Sequence, residues 1–109
     1  MAERIVVQVD ESLESFVPKY LEDIGRWVED ILDAVGKADF KTIRELSHKM
    51  IGTGTGYGFE FITEAGAESN KAANVEDAAG VKEWIGKLKD YLDRIEVEYM
   101  EEEDFGFED

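Results

Sequence analysis

The residues best suited to chemistry lie together in one stretch, LSHKMIGTGTGYGF, at positions 46–59. It holds the only histidine of the chain, His48, and then glycines at positions 52, 54, 56 and 58. An imidazole can act as a nucleophile, as a general base or as a metal ligand. A glycine run can hold a phosphate, turn the chain or allow a close approach. Each role requires its own spacing of glycines and partner residues, so the observed spacing can be compared with each.

The glycine spacing does not match the common nucleotide-binding motifs. A P-loop ends in Gly-Lys-Ser/Thr, and no lysine follows these glycines. The dinucleotide fingerprint needs glycines at its first, third and sixth places after a strand. Counting from Gly52 puts Tyr57 at the sixth place, and counting from Gly54 puts Phe59 there. A nucleotide loop is therefore not expected.

Other catalytic and metal sites are also disfavoured. Ser47 is adjacent to His48, so on a helix its side chain points about 100° away, which argues against a Ser-His-acid triad. The chain has no cysteine, which excludes disulfides, thiolate nucleophiles and cysteine-based zinc sites. A single histidine excludes multi-histidine metal sites. We expect no metal site and no cofactor of the protein's own.

The spacing of apolar residues predicts the elements that position this stretch. Apolar residues recur every three or four positions in four segments, as in amphipathic helices. The predicted helices cover residues 17–36, about 39–54, about 58–73 and about 74–99, with Asp39 and Asn74 as N-caps of the second and fourth. Asp10 or Ser12 can cap a brief helix reaching about Val17. The segment RIVVQVD (4–10) is either an edge strand or an extended arm.

These elements predict an all-α fold, an antiparallel up-and-down four-helix bundle with a short N-terminal arm or helix. Residues 1–100 form one domain, since no linker or repeat divides them. The remaining residues, 101–109, form an acidic tail that we expect to be disordered.

The helical period places His48 on the outside of the second helix. The apolar stripe of that helix consists of Phe40, Ile43, Leu46 or Ser47, and Met50. His48 lies about 140° from the centre of this stripe, so it points to solvent. Its helical neighbours are predicted to be Arg44, Gly52 and, at i+7, Thr55. An exposed histidine without a function fits this position equally well.

Gly52 favours a functional interpretation of His48. Glycine inside a helix costs about 0.5–1 kcal/mol relative to alanine. No core packing requires a small residue on this outer face. We interpret Gly52 as clearance that lets the active site of another protein approach the imidazole.

The charge of the chain restricts the classes of partner. The formal net charge is −15, which disfavours binding to nucleic acid or to an anionic membrane. No apolar run reaches the roughly 18 residues of a spanning helix. The first residues, MAERIVVQVD, lack the layout of a signal peptide. A cytoplasmic location is therefore expected.

An outward histidine, a glycine four positions later, a run of small residues, a glycine at +10 and a following phenylalanine resemble the histidine phosphotransfer (HPt) family. SHKMIGTGTGYGFEFITEAG is similar to the corresponding helix pair of chemotaxis-kinase phosphotransfer domains. VDESLESFVPKYLED and DYLDRIEVEY resemble the entry helix and the closing segment of small bacterial stand-alone HPt proteins. The resemblance covers roughly residues 5–99.

The resemblance implies a four-helix bundle that carries phosphoryl groups in a bacterial two-component phosphorelay. His48 would accept the group from a receiver-domain phosphoaspartate of a response regulator or hybrid kinase and pass it to another receiver. The chain lacks the ATP-binding motifs of a kinase, so we expect a carrier and not an enzyme. Mg²⁺ is expected on the partner receiver domain. A monomer is expected, with no nucleic acid or membrane partner.

The chain departs from the family pattern at two positions. The family usually has lysine three residues after the histidine, where this chain has Ile51. Arg44, about 40° from the histidine on the helix, with help from Lys49, can supply the missing cation, or both are solvated surface charges. Asn70 stands where chemotaxis-type domains carry an orienting glutamate. These departures leave two alternatives open, a degenerate module that binds a receiver without transfer and a plain helical adaptor.

Overall fold

The computed structural model describes residues 3–101. Four helices make up most of this range: α1 (Val17–Gly36), α2 (Phe40–Thr53), α3 (Glu60–Asn74) and α4 (Ala78–Arg94). Two strands, β1 (Ile5–Asp10) and β2 (Ile95–Met100), stand before and after them. Short 3₁₀ turns occupy Glu11–Leu13 and Thr55–Tyr57. The prediction of a mostly helical chain with four helices is confirmed.

The prediction of an all-α fold is wrong, because β1 and β2 form a two-stranded parallel sheet. Their register pairs Ile5 with Ile95 and Asp10 with Met100. Arg94 Nε donates to Glu3 O at 2.7 Å and links the N-terminal ends of the two strands. Of the two interpretations of residues 4–10, the strand is therefore the one observed.

The predicted fourth helix is too long, since α4 ends at Arg94 and the chain continues as β2. Exposed Glu96 and Glu98 alternate with partly buried Ile95, Val97 and Tyr99. This period of two is typical of a strand with one face on the core. β-branched residues also favour the extended backbone. The inner face of the sheet packs against the helices.

One predicted helix cap is confirmed and two predictions near helix starts are wrong. Asp39 accepts a hydrogen bond from Thr42 N at 3.1 Å and caps α2. The cap of α4 is Asp77, which accepts from Gly80 N at 3.0 Å, because α3 continues through Asn74. The brief N-terminal helix is only a 3₁₀ turn, and Val17 already belongs to α1.

The core lies between the four helices. α2 packs most extensively on α3, α3 packs on α4, and α1 contacts both α2 and α4. The antiparallel up-and-down order stays a prediction. The largest fully buried apolar side chains come from all four helices and the residue before α3: Val17, Ile24, Val28, Ile31, Ile43, Met50, Phe59, Ile62, Val81, Ile85 and Leu88.

Small residues bring α3 close to α2. A Cβ on Gly66 of α3 would lie 2.8 Å from Met50 Cβ and 2.9 Å from Ser47 O. A Cβ on Gly54, just after α2, would lie 2.6 Å from Thr63 N. Real Cβ atoms do not approach so closely, so glycine is required at both positions for this spacing.

Within residues 3–101 no helix has the length and apolar character needed to cross a membrane. The predicted acidic tail, apart from its first residue, Glu101, lies outside the described residues.

Candidate functional site

His48 is exposed on the outer face of α2, as the helical period predicts. The residues on the opposite face, Ile43, Ser47 and Met50, are fully buried. His48 sits in the third turn of a 14-residue helix, so its backbone is fixed by regular helical hydrogen bonds. The imidazole is therefore presented to solvent from a rigid element and not from a loop.

The turn of α2 that carries His48 is held from behind by α3. Gly66 lies against the backbone of Ser47 and Ile51, on either side of His48 in the sequence. A larger residue at position 66 would displace this turn. The close contact thus fixes where the imidazole stands relative to α3.

An open groove beside His48 is lined by four of the predicted site residues, His48 included. It has a volume of about 440 Å³ and is lined by Arg44, Glu45, His48, Lys49 and Asn70. Asn70 comes from α3 and the other four residues from α2. The structure therefore brings Arg44, Lys49 and Asn70 around the imidazole. Glu45, three residues before His48, was not among the predicted residues, although its i−3 position could have indicated it.

The two cations of this groove have partners on neighbouring elements. Arg44 Nη1 donates to Ala73 O at 3.4 Å, close to the C-terminal end of α3. Lys49 Nζ lies 5.5 Å from the centre of the Trp27 ring on α1, a cation–π contact. The 3.4 Å bond is long for a hydrogen bond, so Arg44 can exchange it for an anion at little cost. Lys49 points toward α1.

Gly52 lies one turn after His48 and leaves the surface open. It is exposed, and a Cβ placed on it would have no neighbouring atom of residues 3–101 within 4 Å. Ile51, on the same turn, is half-buried. Open space is therefore found beside Gly52, and its role as clearance for another protein stays a prediction.

Thr55 is not the helical neighbour of His48 that the sequence predicts, because α2 ends at Thr53. Thr55 begins the following 3₁₀ turn, where its backbone N–H donates to Thr63 Oγ1 at 2.8 Å. Its hydroxyl is 3.1 Å from the same oxygen. Gly54 allows this change of direction, since the chain folds tightly onto α3 there. Thr55 therefore joins the end of α2 to α3.

A second groove, which the sequence analysis missed, adjoins Gly52. It holds about 340 Å³ and is lined by Leu13, Phe16, Gly52, Thr53, Gly56 and Tyr57. The side chain of Phe16 is 57% exposed, a high value for a large apolar residue. A phenylalanine two residues before Pro18 and outside the apolar stripe of α1 was the available signal. An apolar surface thus continues from the open side of the His48 turn toward the start of α1.

Tyr20 of α1 holds two residues that line this second groove, Thr53 and Tyr57. Its hydroxyl is 2.8 Å from Thr53 Oγ1, and its ring stacks on Tyr57 with centroids 4.2 Å apart. Burial raises the pKa of Tyr20 above its usual value, and the hydrogen bond to Thr53 opposes that rise. The phenol therefore stays neutral and tethers the end of α2.

Within residues 3–101 no three histidine, cysteine or carboxylate side chains are grouped in a way that could hold a metal ion. Comparison with known proteins adds no identification: no family model, no curated protein and no solved structure matches the chain.

Proposed function

We propose that the protein is a histidine phosphotransfer protein of a two-component phosphorelay, and that its four helices form an antiparallel up-and-down bundle. His48 accepts a phosphoryl group from a receiver-domain phosphoaspartate and passes it to another receiver. The observation that carries the proposal is an exposed imidazole fixed on a helix, with open space on the Gly52 side. Such an imidazole suits a reactant delivered on the surface of another protein.

The reaction exchanges one bond to phosphorus for another. An unprotonated imidazole nitrogen of His48 attacks the phosphorus, a P–N bond forms, and the P–O bond to the aspartate breaks. The aspartate leaves as a carboxylate on the receiver. Phosphoryl transfer depends mainly on alignment and on stabilising the charge of the transferring group. A Mg²⁺ ion bound by the receiver is expected to supply much of that stabilisation.

Arg44 is the residue we assign to the missing cation of the family pattern. It lines the groove with His48, and its hydrogen bond to Ala73 O is a long one. A phosphoryl group on His48 would offer the guanidinium charged oxygens, which are stronger acceptors than a carbonyl. Asn70, on the far wall of the groove, can hydrogen-bond to the imidazole or to the phosphoryl oxygens.

A second candidate function is a degenerate HPt-like module that binds a receiver and does not transfer phosphate. Two observations favour it: half-buried Ile51 stands in place of the lysine, and Lys49 is directed to Trp27. In this case His48 and the apolar residues beside Gly52 form a docking surface only.

Mixing the protein with receivers that carry a phosphoaspartate tests the two functions. Under the first proposal the chain becomes labelled, and the label is labile in acid and stable in base, as a P–N bond requires. His48 is the only histidine, so His48→Gln removes every possible phosphohistidine and must abolish the label.

The matched control is Lys82→Gln, an exposed substitution on α4 away from the groove. It should leave labelling intact. Tight binding of one receiver with no label from any receiver supports the degenerate module. If no receiver labels the protein and no receiver binds it, both proposals are contradicted. The plain helical adaptor then remains.

A further inference from the structure

The sheet formed by β1 and β2 is unusually small for a parallel sheet. Among residues 3–101 it has only two strands, and parallel strands are usually found in larger sheets covered on both faces. Two isolated strands are also marginally stable in water. One face of this sheet packs on the helices, while Val6, Gln8, Glu96 and Glu98 are exposed on the other. Within the described residues, each strand has one edge without a neighbouring strand.

We propose that the free edge of β1 pairs with the β1 edge of a second copy, giving a two-fold symmetric dimer with a continuous four-stranded sheet. The edge of β1 fits this role better than the edge of β2. Exposed side chains on β1 include Val6, which is 54% exposed, and uncharged Gln8. On β2 they are Glu96 and Glu98, so pairing two β2 edges would set glutamates against each other.

Charge complementarity selects one register for the two β1 strands. If they run antiparallel with Val7 on the two-fold axis, Arg4 lies opposite Asp10 of the second copy, and the symmetry forms this pair twice. Val6 then lies opposite Gln8, and Ile5 opposite Val9, so residues of the same face stay together. Arg4 and Asp10 thus meet their opposites. The same register sets Glu3 opposite Glu11 of the second copy, but Glu3 precedes β1 and Glu11 already belongs to the 3₁₀ turn that follows it.

Arg4 and Asp10 are both able to make this pair. The Arg4 side chain is 76% exposed and reaches only a loose 3.5 Å contact with Glu96. Asp10 uses Oδ1 to accept from Ser12 N at 2.9 Å, and its other carboxylate oxygen can accept from the guanidinium. The new pair therefore does not require the Asp10 cap to break.

An apolar groove beside this edge gives an independent reason for a further strand there. It measures about 590 Å³ and is lined by Ile5 of β1, by Phe61 of α3 and by residues of α4. The α4 residues are Gly86 and Tyr91 together with the charged Lys87, Asp90 and Arg94. None of its lining residues belongs to β2, so it lies on the far side of β1. Among the described residues no further strand lies over this groove. A strand added at β1 would cover it.

The dimer differs from the monomer expected from sequence, and the net charge makes it weak. Two chains of charge −15 repel each other, and salt screens that repulsion. A single strand edge is also smaller than the interface of an obligate dimer. Association should therefore rise with protein concentration and with moderate salt.

Sedimentation equilibrium over a wide concentration range tests the proposal. The expected mass rises from that of the 12.3 kDa chain toward twice that value. Arg4→Glu sets like charges opposite each other twice and should weaken dimerisation about tenfold. Arg26→Glu on α1 changes the net charge equally and should leave dimerisation close to wild type, since Arg26 is not on the sheet.

A mixing experiment tests the register. Asp10→Lys alone should also weaken the dimer, but mixing it with Arg4→Glu should restore dimerisation. In the mixed dimer the new glutamate of one chain faces the new lysine of the other, and the remaining native pair is Arg4 with Asp10. Circular dichroism of each variant checks that the fold is retained.

Two outcomes overturn the proposal. If the protein stays monomeric at every concentration, the dimer is refuted, and a strand of another protein becomes the candidate for pairing with the β1 edge. If Arg4→Glu does not weaken dimerisation, the interface lies elsewhere. The same conclusion follows if mixing the Arg4→Glu and Asp10→Lys variants does not restore dimerisation.

Discussion

Gly52→Ala separates the stability of α2 from the function of its surface. A Cβ at this position meets no atom of the described part of the chain within 4 Å, so the folded state accepts the methyl group without strain. Alanine is favoured over glycine in a helix interior by about 0.5–1 kcal/mol. Gly52 is the penultimate residue of α2, where helices fray, so we use the lower value. We expect the free energy of unfolding to rise by about 0.5 kcal/mol and Tm by about 2–4 °C.

Under the proposed function, the same methyl group should also slow phosphotransfer, because it would project from the turn after His48 toward an approaching receiver. A displacement on the order of 1 Å in a reacting pair can cost up to about a hundredfold in rate, and we expect a loss of at least about tenfold. Gly86→Ala on α4 is the matched control, since its Cβ is equally free of contacts. It should stabilise the protein and leave transfer unchanged.

The assays are thermal unfolding and the rate at which a phosphorylated receiver labels His48. A more stable Gly52→Ala protein with an unchanged transfer rate would refute the clearance role of Gly52. A less stable one would refute the open-space geometry from which the gain was calculated.

Four further predictions use other parts of the molecule. Gly66→Ala pushes α3 away from α2 and should lower the free energy of unfolding by about 1–3 kcal/mol in urea denaturation; an unchanged value would contradict the close contact of these helices. Ile51→Lys should speed labelling of the histidine if the absent lysine limits transfer, and an unchanged rate would rule that limit out. Arg44→Ala should slow labelling while Lys41→Ala, an exposed change on the same helix, does not; equal effects would remove Arg44 from the site. Burial raises the pKa of Tyr91 to about 12 from about 10 in the unfolded chain, so the folded state holds this proton more tightly. The resulting stability should be fully present below pH 10 and be lost as the pH rises from about 10 to 12, a dependence that urea denaturation would detect and that Tyr91→Phe should reduce.

The helices were predictable because their apolar residues repeat with the helical period over several turns. The strand β2 was missed at the point where two periods coincide. Ile95 and Tyr99 are four residues apart, which suits one face of a helix and also one face of a strand. Val97 between them distinguishes the two, since it shares their partly buried face in the structure. A parallel partner at the other end of the chain is a tertiary feature that no local pattern reveals.

The start of α4 was misplaced because two capping residues compete within four positions. Asn74 and Asp77 are both good N-caps. The structure uses Asp77, because α3 continues to Asn74 and the chain then turns at Glu76, whose φ is +56°. A positive φ at glutamate is unfavourable by itself, so the turn is imposed by the packing of α3 and α4. Sequence alone does not contain that constraint.

The site was predictable where it depends on one helix and less so where it depends on two. The outward direction of His48 follows from the buried stripe of α2. The position of Asn70 across the groove came only from a family resemblance. Thr55 was misplaced because counting seven residues on from His48 applied the helical period beyond the end of α2, which is at Thr53.

Two glycines on opposite sides of one helical turn explain how the site is built. Gly66 lets α3 press against the backbone beside His48, and Gly52 leaves the front of the same region bare. The first fixes the imidazole and the second exposes it, so rigidity and access come from separate residues. Substitutions at the two positions should therefore have different signatures. A change at Gly66 should affect stability and transfer together, while a change at Gly52 should move them in opposite directions.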